Sequence, residues 1–291
     1  FASNIGGATT LIGDPPNIMI GSAAGIDFMS FAYHMTPEII ITMAVAIVLF
    51  KFMFRKDLKQ KPENVEKLQA LDEKKEIKDS MLLKKSAIVL GGVILMFMLH
   101  GMLDLDVSII ALGGAAVLLV ITGIQPFKAL HHVEWPTLLF FCGLFIIVGG
   151  VEVSGALELL AHNILEITEG DLGATMFSIT IVSAFASAFV DNIPFTATMI
   201  PIVESISVDP TFAQNLTAFD YNPLWYALAF GADLGGNGTL IGASANLVAI
   251  AVAERFGYRI FFREFLIKGL PLMIITTMVA FGAFYVRVFF F

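Results

Sequence analysis

A short polar phrase, written twice between apolar stretches, constrains this chain more than any other feature. Near the start it reads Asn4-Ile5-Gly6-Gly7-Ala8-Thr9-Thr10-Leu11-Ile12-Gly13-Asp14-Pro15-Pro16-Asn17. Near the end it reads Asp233-Leu234-Gly235-Gly236-Asn237-Gly238-Thr239-Leu240-Ile241-Gly242-Ala243-Ser244-Ala245-Asn246. At an offset of 229, Gly6/Gly235, Gly7/Gly236, Thr10/Thr239, Leu11/Leu240, Ile12/Ile241, Gly13/Gly242 and Asn17/Asn246 are identical. A Gly-Gly pair among Asn, Asp and Thr is poor material for a continuous helix. Irregular backbone at membrane depth persists only where protein or an aqueous cavity satisfies its N–H and C=O groups. Paired interruptions in corresponding halves therefore point to a solute site between two repeats. Glycines also permit close helix packing, but packing does not require repeated Asn, Asp and Thr.

The apolar share of 57% against 14% charged residues places the chain among helical integral membrane proteins. One cysteine, Cys142, excludes an internal disulfide and a multi-thiolate metal site; within its span it reads as a small buried apolar residue. Phe1 stands three residues before the first motif, with no signal peptide ahead of it. The expectation is the C-terminal part of a longer protein, whose missing N-terminal half is a partner of the site.

Residues 1–54 read as the end of a first repeat, an interrupted span followed by one full span. Asp14-Pro15-Pro16 supplies a helix start, with Asp14 as N-cap or as a solute ligand, and Thr36-Pro37-Glu38 supplies a second start before the apolar run 39–54. From Arg55 to Lys85, seventeen of 31 residues are charged, a solvated linker with Val65, Leu68 and Leu71 at helical spacing. Residues 86–291 read as the second repeat. Spans fall at 86–103, 107–122 and 137–151, with a polar loop at 125–136. His131-His132 with Glu134 in that loop does not make a metal site, because adjacent histidines do not share a helix face. Residues 153–169 read as an amphipathic surface helix, with Leu157, Leu160, Ile164 and Ile167 opposite Glu158, His162, Glu166 and Glu169. Two apolar arms at 172–207 surround Asp191-Asn192-Ile193-Pro194; a broken span follows at 224–254 and a last span at 269–289.

Charge decides whether 172–207 crosses or returns. Sixteen of the 17 Lys and Arg lie in 51–85, at Lys128, and at Arg255, Arg259, Arg263 and Lys268. The positive-inside rule puts all three groups in the cytoplasm. They share one side only if 172–207 is a re-entrant hairpin that enters and leaves by the outer face. The localisation expected is a multi-pass plasma (inner) membrane protein with linker 55–85 cytoplasmic.

Asp14, Asp191 and Asp233 are the acids expected at mid-membrane depth, with no Lys or Arg beside them. Buried carboxylates without basic partners carry H⁺ or Na⁺, or stay protonated. Asn17, Asn192, Asn237 and Asn246 with Thr10, Thr196 and Thr239 supply neutral donors and acceptors for an oxygen-rich solute. Asn4, Gly6, Gly7, Gly235 and Gly236 complete the candidate substrate and ion site. No catalytic residue, resident metal, cofactor or nucleic-acid partner is expected; a Na⁺ near Asp191, Asn192 and Asp233 is the one cation considered. An intramembrane aspartyl protease using Asp191 and Asp233 is the competing class, disfavoured because each Asp sits at a helix break rather than within facing spans.

Ser3-Asn4-Ile5-Gly6-Gly7 with Leu11-Ile12-Gly13-Asp14-Pro15-Pro16-Asn17 resembles the first signature of the ArsB-type permeases of the ion transporter superfamily. Asp191-Asn192-Ile193-Pro194-Phe195-Thr196 resembles the tip of that family's second hairpin, and Gly231–Thr239 its second broken helix. That group includes arsenite permeases, citrate transporter-like proteins and the melanocyte P protein. The resemblance implies an all-α inverted-repeat fold with a re-entrant hairpin and two broken helices, working by elevator-like alternating access. It also implies a secondary transporter, not an enzyme, coupled to H⁺ or Na⁺ and able to form a homodimer in the lipid bilayer. The expected solute is a small anion or oxyanion such as arsenite, with Na⁺/H⁺ exchange or carboxylate transport as alternatives. The family's first hairpin has no counterpart between Phe1 and the first motif, so residues 1–291 alone are not expected to transport.

Overall fold

A computed structural model describes residues 1–59, 77, 79–133, 135–255 and 257–291. Among the described residues the regular structure is helical, with no strand. The helices are α1 (Ala2–Gly7), α2 (Pro15–Ala24), α3 (Phe28–Met53), α4 (Ser80–Leu103), α5 (Val107–Thr122), α6 (Pro126–Leu130) and α7 (Trp135–Val153). They continue with α8 (Ala156–Ile167), α9 (Leu172–Phe189), α10 (Asn192–Val208), α11 (Pro210–Leu216), α12 (Pro223–Gly235), α13 (Ser244–Arg255) and α14 (Phe262–Phe290). Among the described residues five of these, α3, α4, α7, α9 and α14, are long and apolar enough to cross a membrane, and α5 is a shorter apolar helix. The chain is thus an all-helical integral membrane protein. Val65, Leu68, Leu71 and Glu134 lie outside the described residues.

The chain divides into two compact units. The smaller comprises 27–29 and 50–139. In it Asp79 caps α4 by accepting from the N–H groups of Met81 and Leu82, both at 2.9 Å. This cap starts the helix at Ser80, six residues before the apolar run itself begins. Asp104, at φ 52°, turns the chain between α4 and α5. His100 ties the turn down: its Nδ1 donates to the Leu105 carbonyl at 3.1 Å, while Nε2 accepts from the Phe28 N–H at 2.8 Å.

The larger unit comprises 1–26, 30–49 and 140–291 and carries both copies of the motif. Its centre is α12, all thirteen residues of which are buried. The hairpin arm α9 lies along it. The buried residues of α9 recur in pairs, Thr175/Met176, Ile179/Thr180, Ser183/Ala184 and Ser187/Ala188, one helical stripe that becomes all small toward the hairpin tip. The Thr180 hydroxyl donates to the Ala227 carbonyl at 3.1 Å and that of Ser187 to the Ala232 carbonyl at 2.6 Å. Small residues let the two backbones approach this closely, which is how helices associate when apolar burial offers no advantage over lipid.

Asp191 reverses the chain between α9 and α10 at φ 51°, and its Oδ1 accepts from the Ile193 N–H at 3.2 Å. The arms close at their far ends, where the Asn215 side-chain amide donates to the Gly170 carbonyl at 2.7 Å. The segment 172–208 is therefore a hairpin and not a kinked rod. A cavity of about 1030 Å³ opens at this closed end, lined by Glu166, Glu169, Asp171 and Asp209 among others.

Three expectations are corrected. Thr36-Pro37-Glu38 starts no helix, since α3 begins at Phe28 and runs through Pro37. Proline has no N–H for the carbonyl four residues back, here Tyr33. Arg287 of α14 replaces that donor, Nη1 giving to the Tyr33 carbonyl at 3.1 Å and Nη2 to that of His34 at 2.6 Å. Glu38 balances the guanidinium across 3.1 Å. The last helix also starts earlier than expected, at Phe262, because a Glu264 carboxylate reaches back to the Phe261 N–H. Cys142 is exposed rather than buried; in a bilayer an apolar helix face needs no protein cover. Apart from these corrections, α8 turns Leu157 and Ala161 toward protein, with Thr168 just beyond the helix, and leaves Leu160 and Ile167 exposed, as an apolar face lying on a membrane would be.

A double-mutant experiment tests the Arg287 clamp. In an Arg287→Gln/Glu38→Gln background, which avoids stranding one buried charge, adding Pro37→Ala returns an N–H to Tyr33. It should recover about 1 kcal/mol, read as a rise in melting temperature in detergent. The same Pro37→Ala change with Arg287 intact should recover less.

Candidate functional site

Each copy of the motif breaks its helix in the same way. In the second copy α12 ends at Gly235, an eight-residue turn follows, and α13 restarts at Ser244. Asn246, in the first turn of α13, donates through Nδ2 to the Gly236 carbonyl at 2.8 Å and the Thr239 carbonyl at 2.9 Å. In the first copy Asn17 donates to the Gly7 and Thr10 carbonyls, both at 3.2 Å. These are the same positions at offset 229. One asparagine per repeat thus adds a side-chain donor to carbonyls of the break, beside the turn bonds that the Thr10, Gly13 and Gly242 N–H groups give to Gly7, Thr10 and Thr239. The glycines explain themselves similarly: a Cβ on Gly7 would lie 2.9 Å from the Gly13 carbonyl oxygen, and one on Gly236 3.1 Å from that of Gly242.

The two breaks meet. Asn4 Nδ2 donates to Asn237 Oδ1 at 3.1 Å and to Asn246 Oδ1 at 3.3 Å, joining residues more than 230 apart in sequence. The hairpin tip closes a second side, with Asn192 Nδ2 donating to Asp14 Oδ1 at 3.2 Å. Asp14 occupies the N-cap position of α2, but its side chain makes no cap bond. Of the two roles the sequence left open, the cap is not made: Asp14 faces the hairpin tip instead. Asp191 does the reverse and caps α10 with one carboxylate oxygen.

Asp233 is fully buried, and neither carboxylate oxygen receives a hydrogen bond from protein. Asn17 Oδ1 and Asn237 Nδ2 are likewise buried without partners. The side chain facing Asp233 is the Asn17 amide, and the charge that reaches it is that of Asp14, which also lies within reach of Asp191. Among the described residues no group of three or more His, Cys, Asp or Glu side chains could hold a metal ion.

Other motif residues serve packing. A Cβ on Gly235 would lie 2.5 Å from the Ala184 carbonyl oxygen, whereas one on Gly6 meets nothing within 4 Å in this chain. The Thr239 hydroxyl donates to the Ala188 carbonyl of α9, latching break to hairpin arm. Thr196 turns its hydroxyl back onto the Asn192 carbonyl at 2.7 Å. Thr10 contributes its carbonyl to Asn17. Sequence reasoning missed Arg287 and Glu38, although Arg287 was the one cation left outside the three basic groups.

Two interrupted helices, joined through paired asparagines beside a hairpin tip and enclosing a carboxyl without a donor, define an integral membrane protein of the interrupted-helix, repeat-built class. The chain belongs to the CitMHS family, described as citrate transporter, whose profile matches residues 1–231. It is 44% identical, over 92% of its length and 61% of the relative's, to an uncharacterized transporter of Mycobacterium tuberculosis strain H37Rv. It is 41% identical to a 46 kDa membrane protein of Mycobacterium leprae, over 96% of this chain and 64% of that protein. It is 34% identical to the P protein of Homo sapiens, over 94% of this chain and 41% of that protein. The chain thus spans about three-fifths of the mycobacterial relatives. The resemblance to ArsB-type permeases, drawn from the motifs alone, agrees with this membership.

Proposed function

We propose that this chain carries the solute and coupling-ion site of a secondary transporter, moving a small oxygen-rich anion against H⁺ or Na⁺. The observation that carries the reading is Asp233, a fully buried carboxyl with no donor at the meeting of the two breaks. A charge so placed is costly unless it is neutralised, so Asp233 gains and loses a cation as the site opens. Asp14, Asp191 and Asn192 then line the adjoining hairpin tip.

The anion reading rests on α13. Its first residues, Ser244 and Ala245, stand where the first copy has Pro15 and Pro16. Two prolines leave α2 without N–H groups there, whereas α13 keeps both, at the positive end of a twelve-residue helix with Ser244 exposed. Carboxylates and oxyanions suit that terminus; with one cysteine in the chain, arsenite would travel as its neutral hydroxide. Na⁺/H⁺ exchange is the second reading, supported by three acids at the site with no Lys or Arg beside them. Sidedness follows the Lys and Arg distribution: 255–268 cytoplasmic and 209–220 outside. A cysteine at position 215 should be labelled from outside in intact cells and one at 260 should not.

Flux through native membrane vesicles tests the function. With citrate or arsenite supplied under a pH or Na⁺ gradient, Asp233→Asn is expected to abolish gradient-driven uptake while leaving the protein in the membrane at normal abundance. Wild-type flux with unchanged pH dependence in this variant would remove Asp233 from the mechanism.

A further inference from the structure

The connector from α13 to α14 combines two properties that suit neither water nor hydrocarbon. Gly257, at φ 85°, closes α13: its N–H donates to the Glu254 carbonyl at 2.9 Å, and the Tyr258 N–H to the Ala253 carbonyl at 3.0 Å. An irregular stretch follows, and α14 begins at Phe262. Over residues 258–262 the chain exposes large apolar side chains side by side: Tyr258 by 73%, Ile260 by 39%, Phe261 by 62% and Phe262 by 44%. Interleaved with them stand Arg255, Arg259 and Arg263, all exposed. Among the described residues none of these three guanidiniums has a hydrogen-bond or ion-pair partner. Of the two acids in 254–268, Glu264 is turned to the Phe261 N–H.

A cluster of large apolar side chains is unfavourable in water, and unpaired guanidiniums are unfavourable in hydrocarbon. The headgroup layer of a bilayer accommodates both, with aromatic rings at the interface and arginine forks on phosphate oxygens. The length of α14 sets the depth. Its 29 residues span about 43 Å at the helical rise, against about 30 Å of hydrocarbon and about 40–45 Å with the headgroups included. The first turn of α14 and the connector before it therefore reach the headgroup layer. The connector 209–220 has no such character: it contains no Lys or Arg, Phe212 is fully buried and Phe219 half-buried.

We propose that residues 255–263 form a binding surface for anionic phospholipid, with lipid phosphates on Arg255, Arg259 and Arg263 and the rings of Tyr258, Phe261 and Phe262 among the headgroups. Charge complementarity selects this partner. The cytoplasmic leaflet is the negatively charged one, and the Lys and Arg distribution puts the connector on that side. Arg255 is the last residue of α13, which runs back to the second break at Ser244. Lipid held here fixes the far end of one half of the interrupted helix at the membrane surface. The surface goes beyond the transporter reading and does not depend on which solute moves.

A local reporter tests it. A fluorophore on Ile260→Cys, in a Cys142→Ala background, is placed in bilayers of phosphatidylcholine and phosphatidylglycerol with one or the other lipid brominated. Brominated phosphatidylglycerol should quench it more strongly than brominated phosphatidylcholine at equal mole fraction. Each of Arg255→Gln, Arg259→Gln and Arg263→Gln is expected to lower that preference about fivefold, and added salt should weaken it. The substitutions change exposed, unpaired side chains, and the reporter itself leaves all three arginines in place. Equal quenching by the two lipids, or a preference that survives removal of all three arginines, would overturn the proposal. Absence of quenching by either lipid would put the connector in water and overturn it too. Displacement of phosphatidylglycerol by inorganic phosphate would make this a site for free anions and not a lipid surface.

Discussion

Asn246→Leu is expected to unfold the second break and to bring down most of the folded protein recovered in detergent. The Asn246 amide donates to the Gly236 carbonyl and, beside the Gly242 N–H, to the Thr239 carbonyl, and both residues are buried. Leucine fills similar volume but leaves the Gly236 carbonyl unpaired and the Thr239 carbonyl with only the Gly242 N–H at 3.3 Å, and it deprives Asn4 of one acceptor. Each stranded group costs about 1–3 kcal/mol, a large share of the few kcal/mol by which a protein is stable. Asn17→Leu should be milder. Its bonds are longer, at 3.2 Å, and Gly7 and Thr10 are half-buried, so water can reach their carbonyls. The check is the monodisperse yield on size exclusion, compared between the two variants: equal yields would mean the second break does not depend on its asparagine.

Gly235→Leu carries the second large effect. A Cβ there would lie 2.5 Å from the Ala184 carbonyl oxygen and 2.7 Å from the Ala184 Cα. These are backbone atoms of a helix and cannot rotate aside, so α9 and α12 must separate. Separation takes with it the Ser187 bond to Ala232 and the Thr239 latch on Ala188. Even alanine should cost about 1–3 kcal/mol as an overpacked contact, and leucine should abolish folding. At the matching position of the first copy, Gly6→Ala should be neutral within this chain, or favourable by up to about 1 kcal/mol from helix propensity. Thermal unfolding of the three variants separates the cases. A Gly235→Ala protein as stable as Gly6→Ala would mean that α9 and α12 do not pack as closely as described.

What the sequence determined by itself is the list of places where the chain cannot continue as it was. Gly6-Gly7, Gly235-Gly236 and Pro15-Pro16 interrupt helices through their own backbones, so both breaks could be located before any partner was known. The reversal at Asp191-Asn192 was legible through a different route, the sign of distant charges on either side of the bilayer. Pro37 shows where such reading stops. Locally it ends a helix, yet α3 continues because Arg287, about 250 residues away, supplies a donor to the carbonyls that proline disturbs. Asp14 stands where a cap should stand and turns to Asn192 instead. Asn4 and Asp233 occupy equivalent positions, yet only the Asn4 side chain finds partners across the breaks. Only the tertiary structure decided these outcomes, because breaking a helix depends on one residue's backbone, whereas satisfying a buried polar group depends on which donor the fold brings across.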